Sequence, residues 1–92
     1  MKLLVNDTKI DTRMIPLRGI SGFILQILIQ GQREKAAAIH SQMLAVFNGV
    51  IDNDQETDGH GKSEIRLLGY TSLDLVDLLR KNGFQVKEIP IA

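Results

Sequence analysis

No cysteine occurs anywhere in this chain. That removes disulfides, thiolate zinc sites, iron–sulfur clusters and cysteine nucleophiles, and it fits a reducing compartment. Aromatic residues are almost as scarce: three Phe, one Tyr and no Trp. The core must therefore be aliphatic, and strands that stack nucleic-acid bases on aromatic rings are not expected. Neither sign of charge prevails, with eleven Lys and Arg against eleven Asp and Glu. A dedicated nucleic-acid binder needs a basic surplus to displace counterions, so this balance speaks against one. It also leaves self-association unopposed by net repulsion. Long apolar runs are missing too. Phe23 to Ile29 is the longest and contains Gln26, far short of a membrane span. Met1–Val5 is too brief for a signal peptide. The expectation is a soluble cytoplasmic protein.

What is present suits one small domain. Ninety-two residues with 43% hydrophobic content support a single modest core. Lys2 to Asn6 reads as a short strand, Asn6-Asp7-Thr8 as a turn, and Lys9 to Ile15 as an alternating, half-buried strand. Pro16 should end the ladder. Phe23 to Ile29 is apolar all round, isoleucine-rich and bounded by Gly22 and Gly31. Its pattern favours a strand buried on both faces over a helix.

Ala36, Ile39, Met43 and Phe47 recur at helical spacing after Gln32, with Leu44 beside them. The chain from 46 to 52 reads as a second strand or as the end of that helix. Asn53 to Lys62 is polar and glycine-containing, as an exposed loop would be. Ser63 to Gly69 reads as a strand. Thr71 or Ser72 caps a helix whose core side holds Leu73, Leu75, Val76, Leu78 and Leu79. Asn82-Gly83 ends the helix, and Phe84 to Ile91 is the last strand. The order is β-α-β-β-α-β, a ferredoxin-like α+β sandwich with two helices on one face of an antiparallel sheet. Residues 1–21 form an N-terminal hairpin and connector, either extending the sheet or swapping to a neighbour.

Candidate sites are few. Gly59, Gly61 and Lys62, followed by Ser63, look like the end of a phosphate-binding loop, because glycines admit an anion to backbone amides and Lys supplies charge. Glu56 stands where that signature needs its first glycine, and acidic neighbours oppose phosphate, so a plain hairpin tip competes with the anion loop. Asp52 to Gly59 is rich in oxygen ligands but lacks the spacing of a calcium loop. His40 and His60 are the only histidines. Two ligands do not close a zinc site in one chain, and His40 reads as an exposed helix flank. No metal, cofactor or catalytic group is expected.

Two resemblances add to this reading. Tyr70-Thr71-Ser72-Leu73-Asp74-Leu75-Val76-Asp77-Leu78 resembles the pantetheine-attachment region of acyl carrier proteins, which implies Ser72 as a modified serine. The simpler reading is a helix cap. Residues 22–91 as a whole resemble small regulatory ferredoxin-like domains of the ACT type. They share the direct turn from Ile29-Gln30-Gly31 into a helix, the polar hairpin, and the return Leu78 to Val86. That resemblance implies a homo-oligomer with a small effector near Gln30, Gly31, Gln32 and Arg33, where helix-start amides favour an anion. The Arg-Pro-Gly signature of that family is absent. A non-catalytic, homo-oligomeric regulatory or small-ligand-binding domain is thus the first expectation. A stand-alone interaction or inhibitor protein of phage or plasmid type, binding a host protein or sequestering a small anionic ligand, is the second. An acyl-carrier-like protein is the third.

Overall fold

A computed structural model describes residues 1–48, 53–57 and 63–90, with the strand at 53–57 described by its backbone. The elements are β1 (Lys2–Val5), β2 (Thr8–Pro16), β3 (Phe23–Gln30), α1 (Arg33–Phe47), β4 (Asn53–Thr57), β5 (Ser63–Leu68), α2 (Ser72–Lys81) and β6 (Val86–Ile89). The fold is α+β. Six antiparallel strands lie in the order β4-β5-β3-β2-β1-β6, with both helices on one face.

From β3 onward the order is β-α-β-β-α-β, as the sequence pattern implies. The hairpin β1–β2 extends the sheet from within, lying between β3 and β6. Two residues, Asn6 and Asp7, make its turn, and both have positive φ (47° and 66°). That is the signature of a type I′ turn, whose twist matches the flanking strands. Asn6 then clamps β6 in place. Its Oδ1 accepts from the Gln85 amide at 2.9 Å, and its own amide donates to the Gln85 carbonyl at 2.9 Å.

The second half of the chain departs from expectation in its boundaries. Residues 46 and 47 are helical and Phe47 is fully buried, so α1 runs through the start of the strand expected at 46–52. The rest of that segment, 49–52, lies outside the described residues. The strand beside β5 begins instead at Asn53, inside the polar stretch expected to be loop. Polarity misled because β4 is an edge strand, and edges carry charge to discourage pairing with other chains. Leu73 is 66% exposed rather than part of the core, because it sits in the first turn of α2 on the side away from the sheet. His40 is buried at 6% exposure, not on the open flank of α1.

Alternation along the strands sets the core. Leu3, Val5, Ile10, Leu25, Ile27, Ile29, Ile65, Leu67 and Val86 all face the helices and are buried. Ala36, Ile39, Met43 and Phe47 of α1, with Leu75, Val76 and Leu79 of α2, close over them. Each fully buried Leu, Ile or Phe contributes about 1.5–3 kcal/mol by leaving water. One polar side chain within this layer, Thr12, is 1% exposed. Its hydroxyl donates to the Met1 carbonyl at 3.2 Å and lies 2.8 Å from the Ser72 hydroxyl. A buried hydroxyl without partners would be costly. Here it pins the start of α2 to the centre of the sheet.

Both ends of α2 are closed by its own sequence. Thr71 is the N-cap: its hydroxyl accepts from the Asp74 amide at 3.1 Å, and the Asp74 carboxylate accepts from the Thr71 amide at 3.0 Å. This reciprocal capping box satisfies two amides the helix leaves bare. At the other end Gly83 takes φ 87°. The Phe84 amide bonds the Leu79 carbonyl and the Gly83 amide bonds the Arg80 carbonyl, which is a Schellman stop.

Two outcomes are expected. Replacing Asp7→Gly removes the cost of holding a β-carbon at positive φ and should raise stability by about 0.5 kcal/mol, read as a higher urea midpoint. The hydrogen bond from the Thr71 backbone N–H, then the one with the Thr71 hydroxyl, hold the Asp74 carboxyl below its ordinary value of 3.8. A lowered folded-state value adds stability that is complete above pH 3.8 and fades as the pH falls through the folded-state value. The advantage of the native chain over Asp74→Asn should therefore be full at neutral pH and shrink below about pH 4 in acid titrations of unfolding.

Candidate functional site

The expected sites fall at turns, and the structure separates them. Gln30 ends β3, Gly31 turns the chain with φ 127°, and Gln32 is the N-cap of α1 without a side-chain cap bond. Arg33 opens the helix, and all four residues are exposed. The first-turn amides of α1 are thus free of a side-chain cap. An uncapped helix start has generic attraction for anions, and nothing further at this turn selects a ligand. Gly59, Gly61 and Lys62 lie outside the described residues.

Ser72, the residue that the carrier resemblance implicates, is half-buried with its hydroxyl beside Thr12. The cap itself is Thr71. That arrangement joins helix to sheet. An open cleft of about 460 Å³ lies alongside α2, lined by Gly69, Tyr70, Asp74, Asp77, Leu78 and Lys81. Its carboxylate at Asp74 is already engaged in the capping box. Among the described residues no group of three or more His, Asp or Glu could hold a metal ion, and no helix is long and apolar enough to cross a membrane.

The most distinctive surface is the sheet face away from the helices. Register assigns its residues in transverse rows. Ile15, Ile24 and Leu68 form one row, and Arg13, Gln26 and Arg66 form the next. Lys2, Asp11, Leu28 and Glu64 form the third, with Ile89 opposite Lys2. Lys87, Leu4, Lys9 and Gln30 complete the face. No element among the described residues covers it. Leu4, Ile24, Leu28 and Ile89 are only half-buried by their neighbours, and Ile15 and Leu68 remain 42% and 53% exposed.

The polar residues of this face are held in place. Gln26 donates to Glu64 Oε1 at 2.7 Å, and Arg66 Nε donates to the same oxygen at 3.0 Å. A planar guanidinium and an amide fixed on one carboxylate are pre-oriented, so little side-chain entropy remains to be lost on docking. Arg13 lies 4.0 Å from Asp11 and is itself exposed. One end of the face is therefore aliphatic, at Ile15, Ile24 and Leu68, with an ordered polar band next to it.

Motif reading missed this surface because no local motif encodes it. The signal was the apolar-all-round character of β3. The expectation that β3 is buried on both faces is corrected: Leu25, Ile27 and Ile29 are covered by helices, whereas Ile24 and Leu28 line the open side. Two helices cover one face of a sheet, so apolar residues on the other face need another partner.

No protein-family model matches the chain, and comparison with curated proteins and with solved structures gives no match.

Proposed function

We propose that this chain is a non-catalytic, cytoplasmic domain that works as a homo-oligomer, of the regulatory or small-ligand-binding kind. The observation that carries this reading is the uncovered sheet face with Leu4, Ile15, Ile24, Leu28, Leu68 and Ile89 across it. Antiparallel sheets with one solvated face normally carry polar residues there. Aliphatic side chains left uncovered on that side, with Ile15, Ile24 and Leu68 side by side in one row, are a docking feature. The balanced charge of the chain lets like copies approach. Gln30, at the turn where ACT-type domains hold effectors between subunits, stands at the rim of the same face beside Lys9. A ligand at that turn would border the contact between copies.

A second reading, an interaction or inhibitor protein with a different partner, draws on another observation. Met14, Ile15 and Ile20 of the β2–β3 hairpin, with Leu68 at the end of β5, are exposed at one end of the sheet. A heterologous partner seated there would leave the isolated chain monomeric.

Light scattering on the purified chain separates the two. Self-association predicts twice the chain mass at micromolar concentration. Ile24→Asp and Leu68→Asp, both outside the core, should each raise the dissociation constant at least about tenfold while circular dichroism stays native. A strict monomer at the highest attainable concentration rejects the homo-oligomer.

A further inference from the structure

We infer that Asn82–Gly83, the joint between α2 and β6, is a site of spontaneous covalent modification that the folded chain holds shut. Conversion of Asn82 to aspartate or isoaspartate proceeds only when this joint opens. The site is independent of whether the chain self-associates.

The chemistry starts from the dipeptide. Asparagine is among the thermally labile residues, and a following glycine offers a backbone nitrogen with no β-carbon to shield it. Once its proton passes to hydroxide, the Gly83 nitrogen bonds to Asn82 Cγ. The Cγ–Nδ2 bond breaks, ammonia leaves, and a succinimide ring remains. Water opens that ring at either of its carbonyls. Opening at Cγ gives aspartate in an unaltered main chain. Opening at the Asn82 main-chain carbonyl gives isoaspartate, with the main chain longer by a methylene. Water is consumed and ammonia released, with no change of oxidation state.

Solvent is not the obstacle, because Asn82 and Gly83 are both exposed. The obstacle is conformation. Asn82 has ψ 18°, which turns the Gly83 nitrogen to the side of the Cα–C bond away from the Asn82 side chain. Ring closure needs that nitrogen eclipsed with Cβ. Both reacting groups are also tied down. The Gly83 N–H donates to the Arg80 carbonyl at 3.1 Å, and Asn82 Nδ2 donates to the Leu78 carbonyl at 2.8 Å. The first bond holds the proton that must leave, and the second holds the leaving group against the last turn of α2. Rotation about ψ breaks the first bond and carries Phe84 with it. Phe84 packs half-buried against the core, and its amide bonds the Leu79 carbonyl at 3.0 Å. At the next residue, Asn6 grips Gln85 through both its side chain and its amide. The reactive conformer is therefore reached only by releasing the stop of α2 and the entry to β6 together.

Conversion loosens the joint. An amide that donates to the Leu78 carbonyl becomes a carboxylate that only accepts. Its charge stands at the carbonyl end of α2, where the helix dipole disfavours anions. The added methylene of isoaspartate also moves Gly83 and Phe84 out of register with the carbonyls of Arg80 and Leu79. Modification thus weakens the closure that had gated it, and the change runs one way.

Tandem mass spectrometry of the tryptic peptide 82–87, during incubation of the whole chain at mildly alkaline pH, reads the conversion. Asn48–Gly49, the same dipeptide elsewhere in the chain, falls in a separate peptide. Unfolded in urea at the same pH, Asn82 should convert at least about tenfold faster than in the native chain. Asn6→Gly tolerates the positive φ of the turn and deletes the side-chain grip on Gln85. It should speed conversion in the native state at least about threefold, with circular dichroism unchanged. Asn82→Asp, which makes one product directly, should lower the urea midpoint and speed hydrogen exchange at the Gly83 and Phe84 amides.

Four results count against this. No conversion even in urea removes the site altogether. Equal rates in the folded and unfolded chain overturn the gate. Slow native conversion that Asn6→Gly leaves unchanged shows that opening of this joint does not set the rate, and the gate is again wrong. Native values of both midpoint and exchange in Asn82→Asp show a joint indifferent to the modification and overturn the loosening.

Discussion

Everything in this fold hangs on the ladder between β2 and β3. Eight residue pairs, from Lys9 opposite Gln30 to Pro16 opposite Phe23, run through the middle of the sheet. Because side chains alternate along a strand, this one register decides which residues face the helices and which face out. It sets Ile10 beside Ile29 and Thr12 beside Ile27 on the helix side, and Ile15 beside Ile24 on the other. A slip of one residue would expose the core and bury Arg13. The remaining strands inherit their orientation from this pair: β5 from β3, β1 from β2, and β6 from β1.

The hairpin is therefore central rather than peripheral, and Thr12 shows how it is integrated. A threonine in the core layer is a weakness for burial alone. Its bonds to Met1 and Ser72 turn it into the joint between β2, the start of β1 and the start of α2. Asn6 makes the matching joint at the other end, where the hairpin turn holds the entry to β6. Together they explain why β6 pairs with β1. The two halves of the chain are tied by side chains near its N-terminus.

Local chemistry wrote much of this legibly. The caps of α2, the stop at Asn82-Gly83, the turn at Asn6-Asp7 and the apolar face of α1 each follow from residues a few positions apart, and each is where its chemistry implies. What the sequence hid depends on partners distant in the chain. Asn53 to Thr57 is a strand by virtue of pairing with β5, not by its composition. His40 is buried because α1 rolls that side toward the sheet. Ser72 resembles an attachment point when read alone, and its role as a joint depends on Thr12, far away in the chain.

The candidate interface was half-legible for the same reason. The unbroken run Phe-Ile-Leu-Gln-Ile-Leu-Ile announces that both sides of β3 avoid water, but a run of sequence cannot say what covers each side. One side is covered by α1 and α2, and among the described residues no element is left for the other. The unbalanced apolar faces, not the motifs, make the flat of the sheet a candidate surface beside the turns.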